Sequence, residues 1–167
     1  MDPAKEWNRT ETLYRPEATV HRLIREQAAA IPDRPALVWT GGQMTYRELD
    51  RRSDDLARRL VDEGVGPDIP VAVSIERSPE AVVAVLAILK AGGCYLPIDP
   101  QYPKERLTFI IGDANAPVLI TRRSLASQLG ALAPKTLFIE DPCAEGPALA
   151  ERVGPTNLAY LMYTSGS

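Results

Sequence analysis

The chain has 167 residues, 45% apolar and 25% charged, and its 19 Lys plus Arg against 22 Asp plus Glu give a formal charge of −3 with the single histidine neutral. That is the composition of an ordinary soluble globular chain, able to bury enough surface to offset its ordering entropy. It excludes wholesale disorder and the polybasic balance of a nucleic-acid or membrane-surface binder. The longest apolar run, Ala81 to Leu89, is nine residues, against roughly 20 needed to cross a hydrocarbon core. Met1–Glu6 mixes charges and has no apolar h-region, so no signal peptide is expected and the reading is of a cytoplasmic protein. Cys94 and Cys143 are the only cysteines and His21 the only histidine. A disulfide scaffold, a four-ligand zinc site and a histidine metal cluster are thereby excluded, and a Ser-His-Asp triad would need His21. Chemistry is left to backbone amides, hydroxyls, carboxylates and cations.

Residues 1–17 are polar, carry Pro3 and Pro16 and show no apolar period, so they read as an arm or linker preceding the fold. Val20, Leu23, Ile24, Gln27/Ala28 and Ile31 recur at helical spacing until Pro32 interrupts. Ala36–Trp39 and Met44–Thr45, separated by Gly41-Gly42, suggest a hairpin. Thr45 and Glu48 have capping-box spacing, predicting a helix with Leu49, Ser53, Leu56 and Leu60 inward. Asp50, Arg51, Asp55, Arg58, Arg59 and Asp62 are expected towards water, with Gly64 just past the end.

Val71–Ile75 is a continuous apolar strand of the kind buried on both faces of a parallel sheet. Ser78 as N-cap, Pro79 at N1 and Glu80 near the positive end start the next helix, and Gly92-Gly93 closes it. Its apolar residues cover every face, which predicts a helix sandwiched between layers. A strand over Cys94–Leu96 leads into a loop stiffened by Pro97, Pro100 and Pro103, the last placed at N1 of a helix with Leu107, Ile110 and Ile111 inward. Ala116–Thr121 reads as a strand, Ser124–Leu132 as a short helix, Thr136–Ile139 as a strand, and 141–155 as a loop with a helical turn near Ala148–Arg152. Asn157–Tyr163 reads as a buried, central strand. The alternation predicts an α/β fold, a mainly parallel sheet flanked by helices.

Ligands of open parallel sheets bind beyond the carboxyl ends of the strands. Thr164-Ser165-Gly166-Ser167 is placed at such an end, and its residue types suit an anion: glycine admits a close phosphate, successive amides form a nest, and hydroxyls add donors. By spacing alone a surface turn is the favoured reading, with the anion site as the alternative. No Walker A string occurs, and Gly64-Val65-Gly66 lacks the third glycine of a dinucleotide fingerprint. Lys90, in a last helical turn, is read as a cation facing the negative end of the helix dipole. Cys94 is read as an inert buried thiol, Gly92 and Gly93 as sites of close packing, and Glu105 and Arg106 as structural. His21 is expected to pack or cap in its helix, and Asp99 to hold the proline-rich loop by accepting backbone amides.

The stretch from Val71 to Ser78, continuing through Leu86-Ala87-Ile88-Leu89-Lys90-Ala91-Gly92-Gly93-Cys94-Tyr95-Leu96-Pro97-Ile98-Asp99-Pro100 to Tyr102–Leu107, closely resembles adenylation domains of nonribosomal peptide synthetases. Met44–Leu49 resembles that family's first core motif, Leu158–Ser167 the opening of its phosphate-binding motif, and Trp7–Thr10 its linker from a preceding condensation domain. The resemblance implies residues 18–167 as the N-terminal part of an adenylation domain, a partial subdomain of its large N-terminal domain, ending within the phosphate-binding loop. It implies that an amino acid and MgATP give an aminoacyl-adenylate and pyrophosphate, with transfer to a carrier-protein phosphopantetheine thiol. ATP would meet Thr164, Ser165, Gly166 and Ser167; no catalytic or metal-binding residue is assigned. Because the pocket, magnesium-binding and catalytic-lysine segments of the family are not in these residues, the chain is expected to be inactive alone. Its expected partners are the missing C-terminal part of the adenylation domain, carrier and condensation domains, and an MbtH-like protein. A non-catalytic interaction module and a fragment of an acyl-CoA ligase are the alternatives.

Overall fold

The computed structural model describes residues 7, 8, 10, 13, 15–142, 146, 147 and 149–164. Helix α1 (Val20–Ala30) follows Thr19 and ends before Pro32. Its buried face is narrower than the periodicity predicted: His21 and Ala28 are buried, whereas Val20 and Leu23 lie exposed. Strands β1 (Pro35–Trp39) and β2 (Gly42–Thr45) form the expected antiparallel hairpin, with Trp39 paired to Gly42. Helix α2 (Tyr46–Asp62) begins with the predicted capping box: Glu48 N donates to Thr45 Oγ1 at 3.2 Å and Thr45 N to Glu48 Oε2 at 3.0 Å. Both orphan amides are satisfied within four residues of sequence, which is why the start is legible locally.

Strand β3 (Pro70–Ser74), helix α3 (Pro79–Ala91) and strand β4 (Cys94–Pro97) make the first parallel crossover unit. Ser78 Oγ accepts Ala81 N at 3.3 Å, and Gly92 closes α3 at φ +93, a left-handed value where glycine has no Cβ penalty. At Gly93 a Cβ would lie 2.8 Å from Val65 Cγ1 and 2.9 Å from Ile69 O, so glycine there lets β4 approach the end of the preceding loop. Helix α4 (Lys104–Asp113) leads to β5 (Val118–Thr121). Pro103 is its N-cap rather than N1, because ψ of 143° keeps that residue extended. A single 3-10 turn (Arg123–Leu125) and the short helix α5 (Ala126–Leu129) precede β6 (Lys135–Phe138). Residues 149–154 contain no helical turn; residue 148 of that prediction lies outside the described residues.

The four-stranded sheet is parallel in the order β4-β3-β5-β6. Val71 and Val73 face a core shared with α2 and α3, including Leu56, Leu60, Ala84 and Ile88. Ala72 faces the opposite core, with Leu107, Ile110, Ile111 and Leu129 from α4 and α5. Burial on both faces explains the unbroken apolar character of β3 and β5. A third cluster of Met44, Leu49, Val83 and Leu86 ties the hairpin and α2 to α3.

Three further expectations need correction. Helix α3 is not enclosed all round: Val82 is 42% exposed, since no layer covers that side. The charged face of α2 is not simply solvated: Asp54 and Asp55 are buried, where neighbouring α3 and the arginines cover them. Residues 157–163 form no buried central strand. They lie at the outer edge of the sheet beside β4, joined by one parallel bridge between Tyr95 and Tyr160, and Leu158, Tyr160 and Met162 are 53%, 56% and 54% exposed. Apolar composition marks this segment as two-sided, but only Leu161 and Tyr163 pack on a core, that of α4. Among the described residues, no helix is long and apolar enough to cross a membrane.

Candidate functional site at the carboxyl edge of the sheet

β4 lies on one side of β3 and β5 on the other, so the strand order reverses between β3 and β5. Doubly wound folds commonly take ligands at the carboxyl ends flanking such a switch point. Here that crevice is filled by ion pairs. Arg122, directly after β5, donates to Ser78 Oγ at 3.1 Å and Glu80 Oε2 at 2.7 Å, while Arg52 approaches Glu80 at 3.6 Å. Burial alone would push the Glu80 carboxyl up; its own helix-end N–H, Ser78 and Arg122 outweigh this and hold it below the ordinary value. Thr121 Oγ1 donates to Ser74 O at 2.8 Å, closing the strand ends beneath.

The open space lies one strand over. A cleft of about 840 Å³ runs along the carboxyl ends of β3 and β4, bordered by Val73, Ile75, the loop Pro97–Tyr102, and Met162 and Tyr163 of the edge segment. Its floor is held in place as expected for Asp99: Gln101 N donates to Asp99 Oδ1 at 2.9 Å. Gln128 Nε2 adds a bond to Pro100 O at 2.6 Å, and the Arg106 guanidinium stacks 5.1 Å from the centre of the Tyr102 ring. Glu76, Arg77, Asp99, Gln101 and Gln128 give the cleft a mixed polar and apolar wall.

The edge segment brings Thr164, the one sequence-predicted site residue among the described residues, to the end of this cleft. With Tyr160 opposite Tyr95 in a parallel bridge, the chain runs alongside β4, so Thr164 emerges past that strand's carboxyl end and is exposed. Tyr163 Oη donates to Asp113 Oδ2 at 2.5 Å, and that bond to a carboxylate pushes the phenol up to about 12. Ser165, Gly166 and Ser167 lie outside the described residues. Thr164 is thus exposed next to Met162 and Tyr163, which border the cleft. Among the described residues, no group of three or more His, Cys, Asp or Glu is arranged to hold a metal ion.

Lys90 stands in the last turn of α3, as expected, but its charge is met by a buried ion pair rather than by the helix end alone. Its side chain is 0% exposed, and Nζ lies 2.6 Å from Asp50 Oδ1 and 2.9 Å from Asp54 Oδ1, while also donating to Asp50 O at 2.9 Å. Asp54 in turn meets Arg25 at 3.1 Å, and Asp55 is paired with Arg51 at 3.0 Å and with Arg58. Spacing i to i+4 puts Asp50 and Asp54 on one face of α2, a sign available in the sequence, where Asp50 is expected towards water. Cys94 is buried, and burial together with the Asp68 charge pushes its thiol up, as befits an inert residue. His21 is buried, with Nε2 3.1 Å from Thr19 Oγ1 and 3.5 Å from Glu151. Asp68, Arg122 and the Tyr163–Asp113 bond were not anticipated; Asp68 has only the turn string Gly66-Pro67-Asp68 as a local sign.

A family profile described as "AMP-binding enzyme" matches residues 24–167. The chain belongs to that family. It is 43% identical over 166 residues to a subunit of mycosubtilin synthase from Bacillus subtilis, covering 98% of this chain and 6% of that protein. It is also 43% identical to bacitracin synthase 3 of Bacillus licheniformis over 164 residues, 97% of this chain and 2% of the relative. Among solved structures, the AMPPNP-bound form of the nonribosomal peptide synthetase FmoA3 superposes with a TM-score of 0.85 at 32% identity, over 96% of this chain and 18% of that one. The Klebsiella oxytoca NpsA N-terminal subdomain gives a TM-score of 0.78 at 27% identity, over 92% of this chain and 40% of that one. The fold is therefore that of part of an N-terminal subdomain in this family, and the chain spans 6% or less of these two synthases. The parallel sheet and flanking helices agree with the sequence expectation.

Proposed function

We propose that this chain is the N-terminal part of an amino-acid-activating adenylation domain of a nonribosomal peptide synthetase. The observation that carries this reading is 43% identity across 98% of the chain to part of a peptide synthase. ATP supplies the α-phosphorus that a carboxylate attacks, with pyrophosphate leaving. The Thr164 hydroxyl and the amides and hydroxyls of Ser165, Gly166 and Ser167 orient the β and γ phosphates and spread their charge, a task of positioning and electrostatic stabilisation. The bridge to β4 sets where Thr164 leaves the sheet edge.

In this reading residues 1–17 are the linker from a condensation domain, 18–167 belong to the adenylation domain, and the activated acyl group passes to a carrier-protein phosphopantetheine in the cytoplasm. The remaining adenylation segment supplies the amino-acid pocket, magnesium ligand and catalytic lysine, so the 167-residue chain by itself is inactive. An MbtH-like protein is a further partner. The exposed edge residues Leu158, Tyr160 and Met162 favour a second reading, a non-catalytic interaction module.

Mixing the chain with the complementary segment of its adenylation domain and following amino-acid-dependent exchange of labelled pyrophosphate into ATP separates the two. Recovered exchange supports the first reading. A stable complex with no exchange for any proteinogenic amino acid supports the second, and acyl-CoA formation from CoA and a carboxylic acid replaces both with an acyl-CoA ligase.

A further inference from the structure

Strand β4 is paired to β3 over four residues, whereas the edge segment is held to β4 by one bridge, with Tyr95 N donating to Ala159 O at 3.1 Å and Leu161 N to Tyr95 O at 3.0 Å. So short a ladder specifies register weakly. A slip of one residue turns every side chain to the other face: Leu161 and Tyr163 would leave the α4 core, and Thr164 would shift along the sheet edge.

At the start of this segment stands Asp68, on the loop that enters β3. Its Oδ1 accepts Leu158 N at 2.7 Å and its Oδ2 accepts Asn157 Nδ2 at 3.1 Å. Asn157 closes the turn before it, with Gly154 N donating to Asn157 Oδ1 at 3.0 Å. Asp68 itself has φ +63, a left-handed conformation in which Asp and Asn are enriched among residues with side chains. Two demands therefore meet at one position: a backbone that turns left-handed, and two acceptor oxygens aimed at residues 157 and 158. Glycine meets only the first.

We infer that Asp68 is a positioning residue, a carboxylate clamp that sets the register of the edge segment and thereby the place at which Thr164 is presented to nucleotide phosphates. The inference rests on the proposed nucleotide role of that turn. The clamp acts through the 157–163 backbone and touches no reacting atom.

Amide hydrogen exchange on the full chain tests the clamp without reference to activity. Asp68→Gly, which preserves the left-handed backbone, is expected to speed exchange at Leu158 and Leu161 about tenfold or more while leaving Ile120 in β5 unchanged, as for a local rather than global opening. Asp68→Asn, which keeps one acceptor, falls between. In the complete adenylation domain, Asp68→Gly raises KM for ATP about tenfold with the melting temperature unchanged, and Asp68→Asn restores part of the loss. Unchanged protection at Leu158 and Leu161, or protection lost equally at Ile120, overturns the clamp. Faster exchange with an unchanged KM for ATP overturns its link to the turn. An unsubstituted domain that shows no ATP–pyrophosphate exchange refutes the functional reading instead, and the exchange data on the chain still decide the clamp.

Discussion

Replacing Lys90 by methionine separates two physical accounts of that residue. A cation in the last turn of α3, acting on the helix dipole, contributes about 0.3–1 kcal/mol. In the structure the ammonium is fully buried against Asp50 and Asp54, and removing one partner of a buried pair costs about 3–5 kcal/mol because the other charge is left uncompensated. Asp50 is 23% exposed and can recover water, and Asp54 keeps Arg25 at 3.1 Å. The loss for Lys90→Met is therefore expected at the low end, about 3 kcal/mol. Urea unfolding followed by circular dichroism measures it as a lower midpoint at unchanged slope. A double-mutant cycle with Asp54→Asn should return a coupling of about 1 kcal/mol or more. A loss below about 1 kcal/mol would refute the buried-pair account and restore the dipole reading.

Gly93→Ala drives a Cβ to 2.9 Å from the Ile69 carbonyl, backbone that cannot rotate aside, and should destabilise by about 1–3 kcal/mol; a thermal melt within error of the parent contradicts this. His21 titrates below its ordinary value, chiefly through burial, with Arg25 and Lys90 adding to the lowering and Glu151 opposing it. The unfolded chain then binds more protons just below about pH 6.5, so stability contributed by His21 is present above that pH and lost as pH falls towards the folded value. His21→Gln should flatten the pH dependence of the urea midpoint there, and an unaltered profile would reject the assignment. Cys94, buried and with its thiol pushed up, should react with iodoacetamide at pH 8 far more slowly in the native protein than in urea; equal rates at this cysteine, read by peptide mass mapping, would refute its burial.

Near neighbours in sequence determined much of this molecule. The Thr45–Glu48 capping box, the Ser78 cap and the left-handed Gly92 are settled within a few residues, because each satisfies amides or carbonyls of its own helix end. The unbroken apolar run of β3 announced a strand covered on both faces, and Asp99 held its loop as its setting implied. Of the candidate site, the anion-suited residue types at 164–167 were legible; Thr164 is the one among the described residues. Tertiary structure decided the rest. Whether Asp50 and Asp54 face water depends on where α3 lies, and only that packing brings Lys90 between them. Residues 157–163 have the composition of a central strand, yet strand order sets them at the sheet edge, since composition records which side chains shun water and not which neighbour shields them. Asp68 and Leu158, 90 positions apart, meet through the same long-range pairing, which no local pattern encodes.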